Sequence, residues 1–119
     1  MSIQNATGRI SFNRLYDGDT LILRTQNSTY QFTLLDITTR RGVLRGNSFG
    51  NQSFTAVLLN PFELFTGANI RFQIQTAEGL VYMTTSPLNS LQAICNYENA
   101  SLDFYPTVKI TGQLAGYSY

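Results

Sequence analysis

Five arginines and several aromatic residues alternate along runs of the chain that have strand-like patterning. Exposed aromatic rings on a small β-sheet can stack on nucleic-acid bases while arginines contact the phosphates, and each stacked base contributes about 1–3 kcal/mol. This pattern predicts a candidate binding surface. Its residues are Arg24, Tyr30, Arg40, Arg41, Arg45 and Arg71, with Phe49 and Tyr82 near them in the sequence.

A simpler interpretation gives these residues no part in binding. Tyrosine and phenylalanine would fill a hydrophobic core, and arginine would keep the surface soluble. The formal net charge is +1, although seven arginines against four acids give residues 1–71 a charge of +3. Domains that bind nucleic acid are usually far more basic. We therefore favour the simpler interpretation and keep nucleic-acid binding as the alternative.

Asp17 and Asp19, on either side of Gly18, form the one closely spaced pair of carboxylates. Such a pair could hold a divalent cation, although calcium and magnesium sites use more oxygen ligands than these two residues supply. Asp-Gly-Asp is also typical of a tight turn, because Asp bonds its own backbone and Gly accepts positive φ. We favour the turn. A metal-dependent hydrolase that uses Asp17 and Asp19 is the third hypothesis for the function.

The composition excludes several kinds of catalytic site. The chain has no histidine and a single cysteine, Cys95. Ser/His and Cys/His nucleophilic pairs are therefore excluded, and so is a structural zinc site built from four Cys or His ligands of one chain. One cysteine cannot form an intramolecular disulfide. We predict a protein that is not an enzyme and has no metal or cofactor.

The central stretch of the chain, residues 20–37, has the pattern of a β-hairpin. Two apolar-rich runs meet at the polar pair Asn27-Ser28. Leu21 and Leu23 are two residues apart in the first run, and the second run alternates in the same way. A period of two places such residues on one face of a half-buried strand. The short polar break then predicts the turn.

Two further stretches predict β-structure. Residues 69–86 predict a second hairpin, with strict alternation in the first run and a turn at residues 77–79. Residues 43–45 form a short run between Gly42 and Gly46. Short strands between glycines are typical of the places where a small barrel bends.

The chain as a whole predicts one all-β domain, a small antiparallel barrel of five to seven strands. Its 119 residues fit a single domain, and its 43% hydrophobic content suffices for a packed core. A short helix or irregular turn could occur near residues 62–67 or 88–95, and residues 88–95 could equally form a strand. Residues 96–119 form a C-terminal extension whose packing the sequence leaves open.

The runs GDTLILRTQNSTYQFTLLD, RRGVLRGNSFG and MTTSP resemble small bacterial proteins of unknown function. The resemblance covers roughly residues 15–94 and implies a small β-barrel, SH3-like or Sm-like in outline, without an activity. An Sm protein's N-terminal helix and Asp-rich RNA-binding loops are not recognisable, so the resemblance does not imply RNA binding. The matching positions are Gly18, Asp19, Arg24, Asn27, Ser28, Tyr30, Arg41, Gly42, Gly46, Thr85 and Ser86.

These observations predict a non-catalytic binding or assembly module. Charged residues make up 13% of the chain, and a β surface rich in Thr, Asn and Gln suits subunit packing. We therefore expect a protein partner or self-association, in particular a homo-oligomer. The chain shows neither a secretory signal nor an apolar run that spans a bilayer, which predicts a cytoplasmic protein with no membrane partner.

Overall fold

Ten β-strands make up most of the chain that the computed structural model describes, which is residues 2–5 and 8–95. The all-β prediction is confirmed. The strands outnumber the predicted five to seven because short runs of three or four residues, at residues 2–5, 9–11 and 63–65, also pair. The predicted extension, residues 96–119, lies outside the described residues. The strands are β1 (Ser2–Asn5), β2 (Arg9–Ser11), β3 (Thr20–Arg24), β4 (Thr29–Asp36), β5 (Arg41–Gly46), β6 (Ser53–Leu58), β7 (Glu63–Phe65), β8 (Asn69–Thr76), β9 (Gly79–Pro87) and β10 (Ser90–Cys95).

Eight of these strands form one antiparallel sheet, in the order β1-β10-β3-β4-β5-β6-β8-β9. The sheet curls into a half-barrel, which agrees with the small-barrel outline expected from the sequence. In the described part of the chain the two end strands, β1 and β9, do not pair with each other, so the sheet stays open. The other two strands, β2 and β7, form a separate two-stranded sheet.

The hydrophobic core fills the curl of the large sheet. Alternate residues of each strand point into it, as the period of two predicts. Leu21 and Phe32 are directly opposite each other on β3 and β4 and are fully buried. The Phe32 ring also packs against Phe72 of β8, with 5.2 Å between the ring centroids. The two-stranded sheet adds Ile10 and Leu64 to the same core, so it packs onto the large sheet.

Neither of the two stretches for which a helix was an alternative is helical. Residues 88–95 end in β10, which pairs with β1 on one side and β3 on the other, so its backbone is bonded along both edges. Leu91 and Ala93 alternate into the core, whereas Leu88 is buried just before the strand begins. The spacing of apolar residues did not distinguish a helix from a strand over residues 88–95, and the helical alternative is wrong. Within residues 62–67, three residues form β7 rather than a helical turn.

The two glycines of β5 lie under aromatic rings of β4. A Cβ atom added to Gly42 would lie 2.3 Å from the carbonyl oxygen of Thr33 and 2.9 Å from the Phe32 ring. A Cβ atom added to Gly46 would lie 2.7 Å from the Tyr30 ring. Both distances are far shorter than van der Waals contact. Glycine is therefore required at these positions so that the rings can pack against the neighbouring strand.

We expect Gly42→Ala to destabilise the fold more than Gly46→Ala. At position 42 the new methyl group meets a backbone oxygen that cannot move without the strand, whereas at position 46 it meets a ring that can tilt. Overpacking of this kind costs about 1–3 kcal/mol, and we expect Gly42→Ala near the upper value and Gly46→Ala near the lower. Urea unfolding of both variants measures the difference. Equal stability, or the reverse order, would contradict the close contact at Gly42.

Candidate functional site

A groove with a volume of about 400 Å³ lies on the outer face of the large sheet, over β3, β4 and β5. The residues that line it alternate along these strands with residues of the core, so both surfaces follow from one backbone pattern. The side chains that line the groove belong to Ile22, Arg24, Thr29, Gln31, Arg45 and Asn47.

The strand register brings the two arginines to the same groove. Gln31 of β4 is directly opposite Ile22 on one side and Arg45 on the other. Arg24 of β3 is opposite Thr29. Residues opposite each other on one face of a sheet lie within side-chain contact. Two strand spacings and an offset of two residues separate the backbones of the two arginines by about 12 Å, with polar side chains of β4 between them.

The loop after β5 forms one wall of the groove. Oδ1 of Asn47 accepts a hydrogen bond of 3.2 Å from the backbone N–H of Thr29. The next aromatic residue, Phe49, packs against Tyr30 and Phe54 with centroid distances of 5.9 and 5.3 Å. Gly50 adopts a φ of 67°, which favours glycine, as the loop turns back towards β6. The loop is thus bonded to β4 at one point and packed against aromatic rings at another.

The groove is electrostatically positive. Arg24 and Arg45 are exposed, and no acidic residue occurs among the described residues that line the groove. Nη1 of Arg24 donates a 2.9 Å hydrogen bond to Oε1 of Gln92 on β10, which holds the guanidinium over the sheet while leaving most of its donors available. Two guanidinium groups with neighbouring amide and hydroxyl groups can bind a carboxylate or a phosphate.

Tyr30, which the sequence placed on the candidate surface, faces the core. Its side chain is 8% exposed and lies against Gly46 and Phe49. Its neighbours Thr29 and Gln31 face the groove instead. The sequence analysis missed both of these polar residues. Their alternation with Tyr30 and Phe32 was the available signal, because the apolar residues of a half-buried strand face the core and the polar residues between them face outwards.

Arg40 holds the backbone together rather than lining the groove. It has a φ of 62° in the turn before β5. Its Nη1 atom donates a 2.7 Å hydrogen bond to the backbone oxygen of Asn60, and its Cζ atom lies 4.1 Å from the centroid of the Phe12 ring. Its own carbonyl oxygen accepts a bond from the N–H of Leu58. Arg40 therefore connects three separate segments of the chain.

The remaining two candidates, Arg41 and Arg71, are exposed but lie away from the groove. Arg41 begins β5, opposite Asp36 on one side and Val57 on the other. Arg71 lies on the outer face of β8, opposite Thr84. Of the six residues predicted from the sequence, the structure brings Arg24 and Arg45 together in one groove and distributes the other four over the core and the rest of the sheet.

Asp17 and Asp19 both accept hydrogen bonds from the backbone. Oδ1 of Asp17 accepts from the N–H of Ile37 at 2.8 Å, and Oδ2 of Asp19 accepts from the N–H of Tyr16 at 2.9 Å. Asp19 is fully buried. Asp17 thus connects the turn before β3 to the end of β4, and Asp19 closes the turn itself. Among the residues that the structure describes, no cluster of three or more Asp, Glu, Cys or His side chains could hold a metal ion.

We expect Arg40→Ala to lower the free energy of unfolding by about 1–3 kcal/mol, because the change removes a charged hydrogen bond and a cation–π contact. Arg41→Ala removes the same charge from the next, exposed position and should change stability by less than about 0.5 kcal/mol. Urea unfolding of both variants makes the comparison. A similar loss in the two would show that net charge, rather than the contacts of Arg40, causes the effect.

Comparison of the chain with protein-family models, curated proteins and solved structures gives no match. The resemblance to small bacterial proteins therefore rests on the sequence runs that suggested it, and the structure supports it at the level of a curled all-β sheet. In the described residues, no helix has both the length and the apolar character needed to cross a membrane.

Proposed function

We propose that the protein is a non-catalytic binding or assembly module, and that the groove binds an acidic side chain of a protein partner. The observation that supports this proposal is the convergence of Arg24 and Arg45 on one groove with no acid among its described lining residues. Arginines on a protein surface are often paired with carboxylates of the same chain. Two that share a groove without such a neighbour can bind an anion from outside.

The polar residues between the arginines favour a planar anion. Gln31 supplies an amide group and Thr29 a hydroxyl group to the groove, both from the strand that lies between the two arginines. A guanidinium forms two parallel hydrogen bonds to a carboxylate, which makes the contact specific as well as strong. The strands and the bonded loop fix the backbone positions of these residues before any ligand arrives, so less ordering is needed on binding.

Single-stranded nucleic acid is the second candidate ligand, because the same two arginines could contact phosphates. The stacking part of that hypothesis has less support. Tyr30 is buried, and Phe49 packs against Tyr30 and Phe54 rather than extending alone from the loop. Phosphate contacts without stacked bases would give weak binding that depends strongly on salt. We therefore rank a protein partner with acidic side chains first.

Fluorescence anisotropy with a labelled oligoglutamate peptide and a labelled oligothymidine tests both ligands. We expect the peptide to bind, and the double variant Arg24→Ala/Arg45→Ala to weaken binding about tenfold or more, since each charged hydrogen bond contributes about 1.5–3 kcal/mol. The double variant Arg14→Ala/Arg71→Ala removes two exposed arginines outside the groove and should retain most of the affinity.

Three results would contradict this proposal in different ways. No binding of either probe at micromolar protein would remove the anion site. Equal weakening by both double variants would mean that diffuse charge, and not the groove, attracts the ligand. Tighter binding of oligothymidine than of the peptide, with a steep dependence on salt, would favour the nucleic-acid alternative.

A further inference from the structure

The last strand of the large sheet, β9, has a free edge in the described structure. β8 pairs with it on one side, and no described strand lies on the other. In an antiparallel ladder, alternate N–H and C=O groups of an edge strand point away from its neighbour. At nine residues, β9 is the longest strand in the part of the chain that the structure describes. Such an edge can accept another strand.

The features that usually protect an edge strand are missing from most of β9. Its sequence, GLVYMTTSP, contains no charged residue, and its proline is the last position. Residues 79–84 pair with residues 71–76 in regular register, and the irregularity lies beyond them, between Asn69 and Arg71. Charge, proline and bulges are the common means of preventing edge-to-edge pairing. In β9 charge is absent, and the proline and the irregularity lie at its C-terminal end.

Three consecutive apolar side chains of β9 are exposed. Leu80, Val81 and Tyr82 are 53%, 48% and 67% exposed. Val81 and Met83 are opposite the buried residues Ile74 and Phe72, so they continue the core face of the sheet to its edge. The Tyr82 hydroxyl on the other face accepts a bond from Gln73. Both faces of the edge thus have apolar surface that a neighbouring strand would cover.

We propose that β9 pairs antiparallel with β9 of a second copy of the chain, about a two-fold axis at Tyr82. This inference deepens the assembly part of the proposed function and is independent of the groove. The two-fold register places Val81 opposite Met83 of the second copy and Leu80 opposite its Thr84. The core face then continues across the interface with an apolar pair, while the edge backbone groups of both strands gain partners.

The charges next to the strand also fit a second copy. β9 itself is uncharged, so the pairing brings no like charges directly opposite each other. Glu78 immediately precedes β9, and Arg71 lies on β8 opposite Thr84. In the two-fold register, Glu78 of one copy comes to the same end of the interface as Arg71 of the other. Unlike charges therefore approach each other at both ends of the pair.

Light scattering coupled to size-exclusion chromatography tests the proposal on the full chain. We expect the mass to approach twice the 13.3 kDa of one chain as concentration rises. Tyr82→Lys should reduce it to that of one chain, because two lysines would meet at the axis. Tyr16→Lys makes the same change at another exposed tyrosine and should leave the dimer intact. Equal mixing of Tyr82→Lys with Tyr82→Glu should restore the dimer.

Different results are expected if the edge of β9 is covered by something other than β9 of a second copy. A monomer at all concentrations would overturn the proposal. Protection of β9 amides from hydrogen exchange that does not change with protein concentration would also overturn it, since another part of the same chain would then cover the edge. A dimer that survives Tyr82→Lys, or variants that do not recombine on mixing, would exclude pairing about Tyr82.

The proposal for the groove and the proposal for the β9 edge can be tested independently. Tyr82→Lys should retain binding of the oligoglutamate peptide, which also shows that the variant is folded. The double variant Arg24→Ala/Arg45→Ala should remain a dimer. Loss of the dimer in the arginine variant would show that the groove contributes to assembly, and it would overturn β9 pairing as the sole interface.

Discussion

The close packing of two aromatic rings of β4 on two glycines of β5 determines the shape of the middle of the sheet. Phe32 and Tyr30 occupy the space in which Cβ atoms of Gly42 and Gly46 would otherwise lie. The Phe32 ring also meets Phe72 of β8 on the far side of the curl. One side chain thus joins neighbouring strands and opposite parts of the half-barrel. Larger residues at the two glycines would separate the strands from the rings, and the curl depends on that contact.

The groove on the outer face depends on the same packing. Because side chains alternate along a strand, the register that places Tyr30 against Gly46 also places Gln31 beside Arg45 on the opposite face. Phe49 extends the aromatic cluster and thereby holds the loop that forms a wall of the groove. A shift of one residue between β4 and β5 would place Tyr30 opposite Arg45, so either Arg45 would be buried or Tyr30 would be exposed. The core packing and the position of the candidate site therefore depend on the same register between β4 and β5.

Because the sheet is open, its last strand keeps an unpaired edge in the described structure. A closed barrel pairs every strand on both sides, whereas the half-barrel ends at β9 in the described structure. The sequence predicted a small antiparallel barrel of five to seven strands. The structure instead leaves the apolar residues Leu80, Val81 and Tyr82 at an uncharged edge. The groove over β3, β4 and β5 and the edge at β9 are separate surfaces, so the proposed binding and the proposed assembly use different residues.

The sequence by itself determined the local structure. Alternation of apolar residues predicted both hairpins and the all-β class, because a period of two is a property of each strand alone. It also selected Arg24 and Arg45 as candidates. Tertiary structure decided which outward-facing residues come together, so that Gln31 lines a groove with Arg24 and Arg45. It also made residues 90–95 a strand, since β1 and β3 supply hydrogen-bond partners on both sides. The contacts of Arg40 with Phe12 and Asn60 join residues about 20 or more positions apart. Local patterning contains no information about such neighbours, because they meet only when the sheet curls.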